Sequence, residues 1–217
     1  MFIIFDLDDT LIDTSGTILP VKAKRALQKM LHAGLPLANP EQAFAELMQF
    51  LKKAKSSEEG LARFLEPKKN GMDFFTCGFE EIYKGDLGGI DIRPLPKALE
   101  VLKELADAHL LSIATIGEKK MQLQKLHGAG IDINLFYRIE CLQENKKVFY
   151  RQIRDELGIP SKNIFVCGDK VTTDLVPAKE LGLNTVHMKW GRGENFTEEI
   201  ENVDYTIYEL SELKKIL

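Results

Sequence analysis

Apolar residues fall along the chain in two different rhythms. Phe2-Ile3-Ile4-Phe5 is a short unbroken run that ends at the acidic turn Asp6–Thr10. Such a run predicts a strand buried on both faces, as in a parallel sheet. Leu110–Ala114, Tyr137–Ile139, Ile164–Cys167 and Thr185–Met188 repeat the pattern, and Tyr205–Ile207 adds a shorter one. Helical spacing lies between the later runs. Pro96–Ala106 carries Leu99, Val101, Leu102 and Leu105 at helical spacing, and Glu118–Gly128 precedes a Gly-Ala-Gly stop. Lys146–Leu157 ends at Gly158 with Pro160 beyond, and Leu175–Leu181 ends at Gly182. Glu209–Leu217 is expected to close the chain as a short helix. Strands alternating with helices predict an α/β fold, an open, Rossmann-like parallel sheet with right-handed crossovers.

Between about residues 20 and 90 the rhythm changes. Val21–Leu31, Pro40–Ala54, Glu58–Leu65 and Asp73–Tyr83 all read as amphipathic helices, with Asn39-Pro40 as a cap and first helical residue. No strand pattern interrupts them. We therefore expect two domains: a core of residues 1–15 and 92–217, and a small all-helical cap of residues 16–91, with Gly85–Gly89 and Arg93-Pro94 in the return linker.

Composition narrows the function classes. A formal charge of -4 over 217 residues carries no basic excess of the kind that nucleic acid selects. No segment approaches membrane-spanning length, and Phe2–Phe5 is too short for a secretory signal. The three cysteines, Cys77, Cys141 and Cys167, form no CxxC pair and suggest neither zinc nor a disulfide framework. A cytoplasmic location is expected. Nothing indicates nucleic acid, membrane or an obligate protein partner.

Four segments, each after a different predicted strand, carry candidate chemistry. In an open α/β sheet such segments converge at the carboxyl ends of the strands. Asp6-Leu7-Asp8-Asp9-Thr10 crowds carboxylates behind a buried strand, a costly arrangement unless a cation compensates it. A hard divalent cation suits oxygen ligands. A carboxylate can also attack phosphorus, and a second one two residues on can protonate a leaving group. Thr115, in Ser112–Gly117, ends a strand before a helix. Its hydroxyl and neighbouring backbone N–H groups, Gly117 included, are candidates to hold a phosphate oxygen. Asn145-Lys146-Lys147 opens a helix, where cations are unfavourable unless they have another use. Either lysine could neutralise a nucleophile and a transferring phosphoryl group. Gly168-Asp169 follows a buried strand, with Asp174 five residues later, and supplies further carboxylates for a metal or for fixing the lysine.

In these residues and their order the chain resembles the haloacid dehalogenase-like (HAD) hydrolase superfamily over nearly its whole length. Asp6-Leu7-Asp8-Asp9-Thr10 is similar to the first motif of that superfamily, Thr115 to the second, Lys146 or Lys147 to the third, and Gly168-Asp169 with Asp174 to the fourth. The resemblance implies a Rossmann-like core with a helical cap inserted after the first strand. It implies Asp6 as nucleophile and Asp8 as general acid and base. It implies Mg2+ held by Asp6, the backbone carbonyl of Asp8 and Asp169, with Asp174 in support, and phosphate held by Thr115 and the lysine. The implied activity is a phosphatase acting on a small phosphorylated metabolite, because an acid at Asp8 serves phosphate chemistry rather than dehalogenation. A phosphomutase, or a non-catalytic binding protein on the same fold, would share most of these residues. Two departures stand out. Ile116 replaces an asparagine frequent in relatives, and Lys146-Lys147-Val148 lacks the proline that often follows the third-motif lysine.

Other candidates are weaker. His32, His109, His127 and His187 show no metal-ligand spacing. Lys52, Lys53, Lys55, Lys68 and Lys69 read as a solvated cap surface, and Phe50, Phe64, Phe74, Phe75 and Phe79 as cap core. Trp190–Gly193 is a candidate loop beside the site, with Arg192 a candidate substrate contact.

Overall fold

A computed structural model describes residues 1–195 and 200–217. The chain divides into two compact units, Met1–Thr14 with Ile92–Leu217, and Ser15–Asp91.

The first unit is built on a parallel sheet with six strands among the described residues: β1 (Phe2–Phe5), β2 (Leu110–Ile116), β3 (Phe136–Leu142), β4 (Ile164–Gly168), β5 (Asn184–Met188) and β6 (Tyr205–Ile207). Their order is β3-β2-β1-β4-β5-β6, and every pairing is parallel. Phe2, Ile3, Ile4 and Phe5 are all fully buried, as an apolar run without alternation requires of a central strand. Phe2 and Ile4 pack with Phe149, Tyr150 and Ile153 of a helix spanning Lys147–Leu157 and with Val166, Leu175 and Ala178. The order of the strands reverses at β1, so the crevice between the carboxyl ends of β1 and β4 is the topological switch point.

The chain leaves this unit after Thr14 and returns at Ile92, and the two segments are tied to each other. Ile12 pairs with Pro94 in an antiparallel bridge, Asp13 N–H donates to the Arg93 carbonyl at 3.0 Å, and Leu95 N–H to the Leu11 carbonyl at 2.9 Å.

The second unit holds four α-helices among the described residues: α1 (Leu19–His32), α2 (Pro40–Lys53), α3 (Ser57–Leu65) and α4 (Phe75–Lys84). The Asn39 side chain caps α2 by accepting from the N–H groups of Glu41 and Gln42, and Ser56 caps α3 through the Glu59 N–H. Leu47, Leu51, Leu61, Phe64 and Met30 form the core, with Phe50, Phe74, Phe75 and Phe79 packed around it. Lys52, Lys53 and Lys55 are exposed, whereas Lys68 pairs with Glu46 and lies over the Phe64 ring.

The α-helices of the first unit among the described residues are α5 (Ala98–Ala108), α6 (Lys119–Gly128), α7 (Lys147–Leu157) and α8 (Val176–Lys179). Two expectations are corrected. The expected helix Leu175–Leu181 is a wide turn over Val171–Leu175 followed by the single turn α8. Pro177 is the reason: with no N–H and a fixed φ it is tolerated only at a helix start. The expected terminal α-helix is a 3-10 helix, Leu210–Lys215, closed by a reciprocal Glu209–Glu212 capping box. Its buried residues Leu210 and Leu213 are three apart, which suits three residues per turn. No described helix is long and apolar enough to cross a membrane.

Close approach of α3 to α2 rests on Gly60, where a Cβ would lie 2.9 Å from Leu51 Cα and 3.0 Å from the Phe50 carbonyl oxygen. Backbone atoms cannot swing aside. Gly60→Ala should therefore destabilise by about 1 kcal/mol net, because overpacking outweighs the gain in helix propensity. Urea unfolding of the two proteins checks this; a stabilised variant would contradict it.

Candidate active site

Asp6 is the first residue beyond β1, and its N–H donates to the Cys167 carbonyl of β4 at 2.8 Å. The chain then folds back, with the Leu7 carbonyl accepting from the N–H groups of Leu11 and Ile12 and Asp9 in the left-handed region at φ 56°. A short polar side chain tolerates that conformation better than an apolar one. This tight turn sends Asp6 and Asp8 into different surroundings.

Asp6 meets the fourth motif. One carboxylate oxygen each from Asp6, Asp169 and Asp174 lie within 4.8 Å of one another, and all three residues are buried. Both oxygens of Asp169 are buried without a hydrogen-bond partner among the described residues. Burial pushes its carboxyl well above the usual carboxylate range; Lys170 opposes that rise, and Asp9, Asp174 and Asp6 add to it. Burial likewise raises Asp6, against the pull of Lys146. Orphaned carboxylate oxygens in an all-oxygen cluster are what a hard cation satisfies, so the residues fit such an ion. The fit also needs Gly168: a Cβ there would lie 2.4 Å from Asp174 Oδ2. Asp174 Oδ2 in turn accepts from the Lys170 N–H at 3.0 Å, and His187 Nε2–H donates to the Asp169 carbonyl at 3.0 Å.

Lys146 enters the cluster from the start of α7. Its Nζ lies 2.6 Å from Asp6 Oδ1 and 2.7 Å from Asp174 Oδ1, and the residue is 1% exposed. Burial works to lower its pKa, but Asp174 and Asp6 outweigh it and hold the ammonium charged. Lys147, the other lysine considered for phosphate binding, lies elsewhere: its Nζ pairs with Glu180 at 2.6 Å. Helical spacing explains the difference. Lys146 shares a face with Phe149, Tyr150 and Ile153, all buried, whereas Lys147 is rotated about 100° away from it. That stripe was a usable sequence signal for the choice between them.

Asp8 is held apart from the Asp6 cluster. Lys125 Nζ contacts both its oxygens, at 2.7 and 2.9 Å, Gln122 Nε2 donates at 3.2 Å, and Thr14 Oγ1 donates as well. Burial acts to raise its pKa, yet the Lys125 charge and these hydrogen bonds prevail and hold it below the usual range. Its side chain is thus not among the clustered carboxylates. Thr115, 1% exposed at the end of β2, accepts from Gln122 Nε2 at 2.7 Å. Gly117, by contrast, donates its N–H to the Leu142 carbonyl at 2.9 Å. This corrects the expectation that its amide is available to a phosphate.

Sequence reasoning missed Gln122, Lys125 and Thr14. Gln122 had a faint signal, a polar residue on the buried line of α6 shared with Leu126. Ile116 is largely solvent-facing. Arg192 is buried, with no hydrogen-bond partner for Nε or Nη1 among the described residues, in a loop whose Gly193 lies close to the Asp169 carbonyl. Trp190 Nε1 donates to Asp13 at 2.9 Å. All three cysteines are free.

The chain is similar to known proteins along most of its length. The family profile described as haloacid dehalogenase-like hydrolase matches residues 3–188. A glyceraldehyde 3-phosphate phosphatase of Methanocaldococcus jannaschii is 29% identical over 99% of this chain and 96% of its own. That of Pyrococcus furiosus is 28% identical over 99% and 92%. Among solved structures, the Bacillus subtilis HAD-hydrolase YfnB, bound to magnesium, superposes with a TM-score of 0.67 at 20% identity, covering 100% of this chain and 97% of its own.

The two lysines give a direct test. Lys146→Met strands two buried carboxylates and should cost about 3 kcal/mol in metal-free protein. Lys147→Met removes a half-exposed pair and should change stability by about 0.5 kcal/mol or less. Denaturant unfolding in chelator measures both, and equal costs would contradict the assignment.

Proposed function

The chain belongs to the haloacid dehalogenase-like hydrolase family, and on that premise we propose that it is a magnesium-dependent phosphatase cleaving the phosphomonoester of a small metabolite through an aspartyl phosphate on Asp6. The observation that carries this reading is the meeting of Asp6, Asp169, Asp174 and Lys146 in one buried cluster at the switch point of the sheet. The names of the relatives make glyceraldehyde 3-phosphate the first substrate to test. The helical unit Ser15–Asp91 is assigned as the cap, and the free cysteines accord with a reducing cytoplasm.

Asp6, the backbone carbonyl of Asp8, and Asp169 would hold Mg2+, with Asp174 in support; when bound, the ion offsets charge on the phosphoryl oxygens and on the carboxylates. A carboxylate oxygen of Asp6 attacks phosphorus as the bond to the leaving oxygen breaks. Asp8 gives that oxygen a proton, and a phosphate dianion arriving beside it favours the protonated carboxyl. Water then attacks the phosphorus of the aspartyl phosphate and passes its proton to Asp8. The bond to Asp6 breaks, and inorganic phosphate leaves. Lys146 keeps Asp6 oriented and stabilises charge through both halves, while the Thr115 hydroxyl donates to a phosphate oxygen.

Two measurements check the reading. Purified protein with magnesium should release phosphate from glyceraldehyde 3-phosphate, and Asp6→Asn should lower that rate at least about 1,000-fold; undiminished activity in Asp6→Asn would sink it. Magnesium affinity should also follow pH. The raised carboxyls of Asp6 and Asp169 bind protons above the usual carboxylate range, so the cation must displace them. Binding should tighten as pH rises through that range, by up to about tenfold per pH unit for each proton displaced. Titration calorimetry at about pH 5.5 and 7.5 reads the change, and an affinity independent of pH would count against this ligand set.

A further inference from the structure

Asp8 lies in the turn after β1 and Thr115 in β2, and a single helix face touches both. Gln122 and Lys125 lie three residues apart on α6, so they project from neighbouring turns on one side. Lys125 Nζ grips both oxygens of Asp8, a two-point contact that fixes the plane of the carboxylate as well as its position. Gln122 Nε2 is shared among Asp8 Oδ2 at 3.2 Å, Thr115 Oγ1 at 2.7 Å and the Ile116 carbonyl at 3.0 Å. These are three acceptors, so the amide orientation is set. Because Thr115 Oγ1 already accepts from Gln122, its own hydrogen is left to donate elsewhere. Gln122 is 1% exposed, and the Lys125 side chain is 12% exposed. A lysine loses side-chain freedom and solvation in such a place, which costs free energy unless the contact has a use.

We infer that Lys125, with Gln122 beside it, is a positioning residue for the leaving-group step: it aims Asp8 at the leaving oxygen while Gln122 turns the Thr115 hydroxyl hydrogen toward the phosphate. The inference rests on the phosphatase reading above. In the step concerned, the bond between phosphorus and the leaving oxygen breaks as a proton moves to that oxygen from the Asp8 carboxyl, which the arriving phosphate dianion favours in its protonated form and whose other oxygen stays on Lys125 Nζ. How much this proton transfer matters depends on the leaving group. An alkoxide needs the proton as the bond breaks, whereas 4-nitrophenolate departs without it.

The experiment compares kcat/KM for an alkyl ester, glycerol 3-phosphate, with that for 4-nitrophenyl phosphate, in wild type, Lys125→Met and Lys125→Arg, with magnesium present. This ratio covers steps only up to departure of the leaving group. Lys125→Met should lower kcat/KM for the alkyl ester by about 100-fold or more and that for the aryl ester by only a few-fold, and Lys125→Arg should recover most of the loss. A structural role alone would lower both esters equally, as misfolding does, and that outcome or an unchanged alkyl rate overturns the inference. If Lys125→Met does not fold, Lys125→Gln set against Lys125→Arg decides the same question. Wild-type protein that cleaves neither of these esters nor glyceraldehyde 3-phosphate would defeat the phosphatase reading and the positioning role together; wild-type turnover with equal losses in the variants would defeat the positioning role alone.

Discussion

A lysine ammonium with 1% exposure survives only among carboxylates, and Lys146 is placed between two of them. That contact ties α7 to the end of β1 and to the turn after β4, and it decides which acids can stand together. The three clustered carboxylates outnumber the lysines that offset them, Lys146 by contact and Lys170 by its nearby charge, so the cluster suits a cation.

Asp6 and Asp8 are two residues apart and chemically opposite. Burial beside other acids lifts Asp6, and a bidentate lysine holds Asp8 down. The proposed roles need the reverse, and a cation on Asp6 and a phosphate dianion beside Asp8 would supply it: the first favours the attacking carboxylate and the second the protonated acid. The left-handed Asp9 turn makes the divergence geometric before it becomes electrostatic.

Much of this was legible in the amino-acid order. A carboxylate immediately after an unbroken apolar run is visible for Asp6, and for Asp169 once Gly168 is allowed for, because both the strand and the turn are local features. The choice of Lys146 over Lys147 was also local, lying in the helical line through Phe149, Tyr150 and Ile153, although charge alone left the pair open. Gln122 and Lys125 were not legible. They meet Asp8 from 114 and 117 residues away, and α6 carries too few apolar residues to mark its inner face. The Gly117 amide was misread for a related reason: whether an N–H is free depends on the register of the neighbouring strand, and β3 runs further than its apolar pattern suggested. The wide turn ahead of α8 and the 3-10 terminus reflect a proline and a three-residue spacing that look helical when only periodicity is counted.

The clasp between Leu11–Asp13 and Arg93–Leu95 bears on how such a chain can be built and altered. For the sheet unit, everything from Ser15 to Asp91 is one closed loop whose ends are already fastened inside the unit itself. The entropy of closing a loop grows only with the logarithm of its length, about 0.6 kcal/mol for each doubling. Lengthening, shortening or replacing the segment between the clasp points thus costs the sheet little. The same tolerance lets the inserted segment change its surface freely while the carboxylates beyond β1 and β4 stay in register.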